Sequence, residues 1–282
     1  MGKTITAKAQ NKKAFGLKLK IFKDKKTNFY VGLGITAFFL LITIVGYFWT
    51  PYNPNAMDVD AKYSAMSFTH LFGCDNFGRD IFSRVVSGLG TTFFVGLGTV
   101  LIGGLVGIII GAICGYFGGL VDEIGMRIMD ALYAFPSLLL ALVFVSLLGS
   151  GKYQVIIALG IAFIPSFSRI VRAEYMRCRD LDYVKSARLF GASHFRVIFV
   201  HILPNITPVL VSSAIIGFNN AVLAEAGLSF LGIGVQPPDA SLGEMLSSAQ
   251  SFLFSTPWYA LCPGIVMIIM ILGVSLMAEG VE

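Results

Sequence analysis

Charge is scarce in this sequence. Lys, Arg, Asp and Glu together make up 13% of its 282 residues, against about 25% in an average soluble domain. With 56% hydrophobic residues and a mean hydropathy of +0.78, the chain has too little polar surface to cover a water-soluble fold. Cysteine and histidine are equally sparse. Cys74, Cys114, Cys178 and Cys262 form no C-x-x-C pair and no disulfide-framework spacing, so they read as small apolar fillers or free thiols. His70, His194 and His201 enter no H-E-x-x-H or similar pattern, so no metal site is expected. The chain lacks a G-x-x-x-x-G-K-[ST] loop: Gly2-Lys3-Thr4 has only its tail, and Gly151-Lys152 is followed by Tyr153. Nucleotide hydrolysis by this chain is therefore not expected, and no cofactor is assigned to it. Nor is there a nucleophile, base and metal set. Ser83, Ser168 and Ser229 have no arranged histidine. A membrane enzyme is disfavoured on that ground.

What is present is long apolar runs. A spanning helix needs about 20 of them in a row, and six segments qualify: 29–49, 92–115, 131–148, 153–168, 206–224 and 258–277. The fourth is short and contains Pro165, and the fifth carries Asn219 and Asn220. The expected fold is all-α and polytopic, with six transmembrane helices. The net charge of +5 lies in blocks between the apolar runs, which argues against nucleic-acid binding and for cytoplasmic loops. Residues 1–28 hold nine lysines, 169–205 hold seven basic residues, and Arg127 adds one more; Lys62, Arg79, Arg84 and Lys152 fall on the other side. The split of 17 to 4 places both termini in the cytoplasm. The expected organisation is a basic segment 1–28, a first helix 29–50, an extracytoplasmic segment 51–91 packed on the bundle, and a five-helix core 92–282 containing a cytoplasmic loop 169–205. The run from Phe29 is too long for a signal-peptide core and lacks a small-residue cleavage site after it, so it reads as an uncleaved helix. The first six residues formally fit a myristoylation pattern. In a chain with six helices as anchors this reads as chance.

Gly103, Gly107, Gly111 and Gly115 stand four apart on one helical stripe. Small residues in such a stripe let two helix backbones approach, in this chain or in a partner. In 169–205, Asp182 followed by Tyr183-Val184-Lys185-Ser186-Ala187-Arg188 and a stop at Gly191 reads as a short helix capped by Asp182, with Pro204 breaking the backbone before the next span. The loop is either a docking element or an amphipathic helix on the lipid surface. Glu225, near the end of the fifth span, is a candidate pore-lining or partner-binding charge, or an interfacial one. Asn219 and Asn220 either line a path or bond neighbouring helices. Gly78, Arg79 and Asp80 read as an external contact or as a loop-fixing ion pair.

The loop resembles the coupling motif E-A-A-x-x-x-G-x9-I-x-L-P of ATP-binding-cassette importer permeases. Lys185-Ser186-Ala187, Gly191 and His201-Ile202-Leu203-Pro204 fall in its register, with Lys185 and His201 as departures. Residues 73–84 (GCDNFGRDIFSR) resemble G-T-D-x-x-G-R-D-x-x-S-R, and 225–238 (EAGLSFLGIGVQPP) resemble E-x-x-L-S-F-L-G-L-G-x-Q-P-P. Both point to the C-type permease of the dipeptide, oligopeptide and nickel branch. The resemblance implies a coupling helix from Asp182 to Ala192, with Leu203 and Pro204 behind it, seated in a cytoplasmic ATPase. Arg188 is a further candidate contact. It also implies a second related permease, two ATP-binding-cassette subunits that carry ATP and Mg2+, an external solute-binding protein, and the bacterial cytoplasmic membrane. Relatives run a few residues past Glu282, so the chain reads as cut short there. The competing reading is an ion-coupled secondary transporter, which would place charged coupling sites near mid-membrane.

Overall fold

The computed structural model describes residues 25–281. The basic segment up to residue 24, with its myristoylation-like start and Gly2-Lys3-Thr4, lies outside the described residues, as does Glu282. Nine helices follow in order: α1 (Lys25–Phe48), α2 (Ile81–Phe117), α3 (Gly119–Tyr133), α4 (Ser137–Leu148), α5 (Lys152–Arg179), α6 (Asp182–Leu189), α7 (His194–Phe230), α8 (Leu242–Ala249) and α9 (Trp258–Val281). Among the described residues there is no strand, only one isolated bridge between Cys74 and Asp80.

Five of these helices (α1, α2, α5, α7 and α9) are each long and apolar enough to cross a bilayer. The sixth span exists only as the pair α3 and α4, bent by 84°. The expected straight helix over 131–148 is thus corrected. Pro136 has no N–H, and it disfavours helical torsions at Phe135. The chain therefore stops at Tyr133 and restarts at Ser137 with Pro136 in the N-cap position. With 12 residues, α4 reaches only about 18 Å, short of a hydrocarbon core of about 30 Å.

The other spans are longer than their apolar cores. Helix α2 starts at Ile81 rather than at residue 92, because Asp80 caps it: its carboxylate accepts from Ser83 N at 2.8 Å. Helix α5 continues through Pro165 to Arg179, and α7 begins at His194. Of 169–205, read above as one loop, only 180–181 and 190–193 lie outside helices.

The glycine stripe decides the main packing. A Cβ on Gly107 would lie 2.5 Å from Phe167 Cβ, one on Gly111 2.5 Å from Ser168 O, and one on Gly115 2.6 Å from Arg172 O. Gly103 faces Gly160 O at 3.0 Å. The neighbour is therefore α5 of the same chain, and the two backbones meet along four turns. Leu101, Leu105, Ile109 and Ile113 are exposed. They are offset by two residues, about 200° around the helix, and so face away from α5. Helix α1 meets α9 in the same manner: Gly273 and Gly280 press on Ile35 and Phe29.

Candidate coupling loop and translocation groove

Helix α6 is held at one point and free elsewhere. Val184 is fully buried against Tyr175 and Cys178 of α5 and Val197, Ile198, Ile202 and Ile206 of α7. Ala192 and Leu203 pack at the margin of that cluster. Asp182, Lys185, Ser186 and Arg188 are exposed, Ala187 is half-buried, and Tyr183 is 37% exposed. Asp182 is not the cap. Leu181 holds the N-cap position without a side-chain bond, and Asp182 opens the first turn. There its charge still complements the helix N-terminus. Lys185 Nζ lies 3.8 Å from Asp182 Oδ1, with both groups in solvent.

The helix ends in a Schellman motif. Gly191 N donates to Arg188 O at 2.9 Å, and Ala192 N to Ala187 O at 3.0 Å. Gly191 has φ +80° and no atom of this chain within 4 Å of where a Cβ would sit. Glycine is thus demanded here by torsion, not by crowding within the chain. Past it, Leu189, Phe190 and Phe195 project into the open, with Leu189 and Phe190 close to 90% exposed. Sequence reading did not single these out; three apolar side chains flanking a glycine turn in a basic loop are the signal that marks them. Arg188 lies 4.8 Å over the Tyr116 ring, and the Tyr116 hydroxyl meets His194 Nδ1 at 2.8 Å.

Pro204 does not break the backbone. It lies inside a helix that already runs from His194, just past a π-helical turn at Val197–Ile202. Proline cannot donate to the carbonyl four residues back, so the ladder widens instead of ending. Side chains add bonds to carbonyls of this stretch: Tyr175 Oη donates to Ile198 O at 3.1 Å, and Asn205 Nδ2 to His201 O at 2.6 Å. The base of α7 and helix α6 therefore share one small core, centred on Val184.

The bend between α3 and α4 opens a groove of about 580 Å³ against α5 and α7. Phe135, Ser137, Phe163, Ser166, Ser213 and Asn220 are among its walls, and no charged side chain of the described residues lines it. The three expected path residues part company here. Asn220 is exposed in the groove. Asn219 is buried on the other side of α7, donating to Ser275 Oγ of α9 at 2.9 Å. Successive residues on a helix diverge by about 100°, so the two cannot share one face. Glu225 is fully buried; its Oε1 accepts from Ser229 Oγ at 2.7 Å and Ser241 Oγ at 2.8 Å.

At the opposite end, the segment before α2 turns its charges inward. Arg79 Nε donates to Asp75 Oδ2 at 2.6 Å, Asp80 meets His70 Nδ1 at 3.0 Å, and both Arg79 and Asp80 are at most 5% exposed. Gly78 has φ +76°, and a Cβ there would collide with Asp58 O. These contacts are internal to the segment. Arg84, also fully buried, joins the segment to α8 by a 2.9 Å bond to Glu244 Oε2. Burial, with Asp80, Asp75 and Asp58 nearby, pushes the Cys74 thiol up to about 11. Among the described residues no three His, Cys, Asp or Glu side chains gather in a metal-ligating group.

Residues 107–282 match the family described as binding-protein-dependent transport system inner membrane component. A Brucella suis biovar 1 protein named as a peptide transport system permease is 40% identical over 259 residues, 92% of this chain and 87% of that protein. The dipeptide transport system permease DppC of Alkalihalophilus pseudofirmus is 37% identical over 93% of this chain and 86% of its own. Among solved structures, the inward-facing MetNI methionine ABC transporter superposes with a TM-score of 0.59 at 16% identity, covering 70% of this chain and 93% of that one. An amino acid ABC transporter solved with histidines gives 0.52 at 20%, over 69% and 91%. Those structural likenesses establish the fold; the family match and the close relatives establish the kinship. The chain is a multi-pass membrane protein and belongs to the family of binding-protein-dependent transport system inner membrane components.

Proposed function

We propose that this chain forms half of the translocation path of an ATP-driven importer of di- or oligopeptides. A second related permease closes the groove. Two ATP-binding-cassette subunits supply ATP and Mg2+ chemistry that this chain lacks, and an external binding protein delivers the solute. The 17 to 4 distribution of basic residues supports a cytoplasmic position for α6 and both termini. The observation that carries the reading is α6 itself. It is a short helix fastened to two spans through Val184, with Leu189, Phe190 and Phe195 bare beside Gly191. That surface suits the cleft of a soluble subunit whose closure on ATP moves the helix. The free energy of the switch comes from the different affinity of the ATPases for the two states. The peptide assignment rests on the names of the relatives. The groove supports it over nickel, since no imidazole, thiol or carboxylate lines it.

An ion-coupled carrier would need a charged site open to a cavity. Glu225, the buried carboxylate in α7, is engaged by two hydroxyls and does not line the groove. The test is dipeptide uptake into proteoliposomes that contain this chain, its neighbouring permease, the ATPases and the binding protein. Uptake that requires ATP and both ATPase subunits is expected. Uptake that persists without them, driven by an ion gradient, contradicts the proposal.

A further inference from the structure

The groove between α4, α5 and α7 is walled without charge. Its polar groups are the hydroxyls of Tyr133, Ser137, Ser166 and Ser213 and one carboxamide, Asn220. Ser213 is already engaged, donating to Val209 O at 2.7 Å within its own helix. Tyr133 carries the Arg169 guanidinium 3.9 Å over its ring, and Arg169 is itself paired with Asp130 at 2.6 Å. The ionised groups at this edge are therefore matched to each other. A carboxamide presents N–H donors and a C=O acceptor, the same two functions that every peptide bond presents in complementary sense. A neutral wall neither attracts nor repels side chains by sign, whereas a single unpaired charge in a partly dry groove would do so strongly. Asn219 shows that the register matters: one residue earlier, an equal carboxamide is committed to Ser275.

We propose that Asn220 is the specificity-determining group of this half of the path: it pairs with the main-chain amide of a passing peptide, and the wall around it admits side chains regardless of charge. This deepens the peptide-import reading and rests on it. The test uses the assembled transporter in proteoliposomes, with di-alanine, di-lysine and di-glutamate as solutes. Each variant is compared with the wild type using the same binding protein, so that protein's own preference cancels. Asn220→Asp is expected to raise the di-lysine to di-glutamate rate ratio by roughly tenfold. Asn220→Leu should lower all three rates by a similar factor and leave the ratio alone, and Asn220→Gln should restore them. Co-purification with the partner subunits checks assembly; should the Asp variant fail to assemble, the Leu and Gln pair decides. An unchanged ratio in an assembled Asp variant, or unchanged rates in the Leu variant, overturns the inference. A wild-type complex that imports none of the three refutes the peptide reading, and the inference with it, so the wild-type measurement separates the two failures.

Discussion

At the scale of single residues, burial decides which polar groups serve the fold. Arg84 has no solvent contact and bonds Glu244 across 160 positions of sequence. Removing one member of such a pair strands the other. Arg84→Ala should cost roughly 3–5 kcal/mol, read as a lower unfolding temperature of the purified protein; an unchanged temperature would mean the pair is not buried. Cys74 offers a pH test. Its thiol titrates near 11 in the fold, above the ~8.5 of a free cysteine. The fold thus favours the neutral thiol, and this contribution is whole below pH ~8.5 and declines as pH rises toward 11. At pH 8 a maleimide should label Cys74 only after denaturation. Rapid labelling of the native protein would contradict this burial. Cys74 already reads from the sequence as a small apolar filler or free thiol, whereas Arg84 counts there as one of four external charges, because a single sequence does not reveal a partner as distant as Glu244.

At the scale of helices, apolar runs located the spans, and polar punctuation misplaced their ends. Residues 81–91 contain Ser83, Arg84 and Ser87, yet they are helical, because Asp80 caps them and Glu244 answers the arginine. Pro165 lies in the short fourth run and Pro204 reads as a break before the fifth; both sit inside continuous helices. Pro136, which does break one, lies in an otherwise apolar run. The difference lies in what surrounds each proline. Pro165 is buried within α5, Pro204 follows a π-helical turn that absorbs its missing donor, and Pro136 lies exposed at the N-cap of α4. The glycine stripe was legible in full except for its partner, which only tertiary structure reveals. Gly111→Ala would drive a methyl to 2.5 Å from Ser168 O, and overpacking of this kind costs roughly 1–3 kcal/mol. Gly34→Ala, on a helix face with nothing within 4 Å, should be neutral or stabilising by up to about 1 kcal/mol. Thermal unfolding of both variants checks the contrast; equal destabilisation would contradict the close α2–α5 contact.

At the scale of the whole molecule, three buried clusters divide the labour. One joins α1, α2, α7, α8 and α9, a second joins α2, α4, α5 and α7, and the third binds α6 to α5 and α7. Helix α7 takes part in all three. It runs from the exposed loop at one end, past the groove at Asn220, to the buried Glu225 near α8. A push on α6 therefore meets a continuous element 37 residues long rather than a flexible linker. The measurement that tests this most directly compares wild type with Gly191→Asp in the assembled transporter. Both binding-protein-stimulated ATP hydrolysis and uptake are read. Among the described residues nothing lies within 4 Å of a Cβ placed at this position, and Asp enters left-handed torsions more readily than most residues. The variant should therefore insert and assemble at wild-type levels. If α6 seats in an ATPase cleft as proposed, the added carboxylate intrudes there, and the variant is predicted to lose uptake and stimulated hydrolysis together. Full uptake and full stimulation in the assembled variant would contradict coupling through this loop.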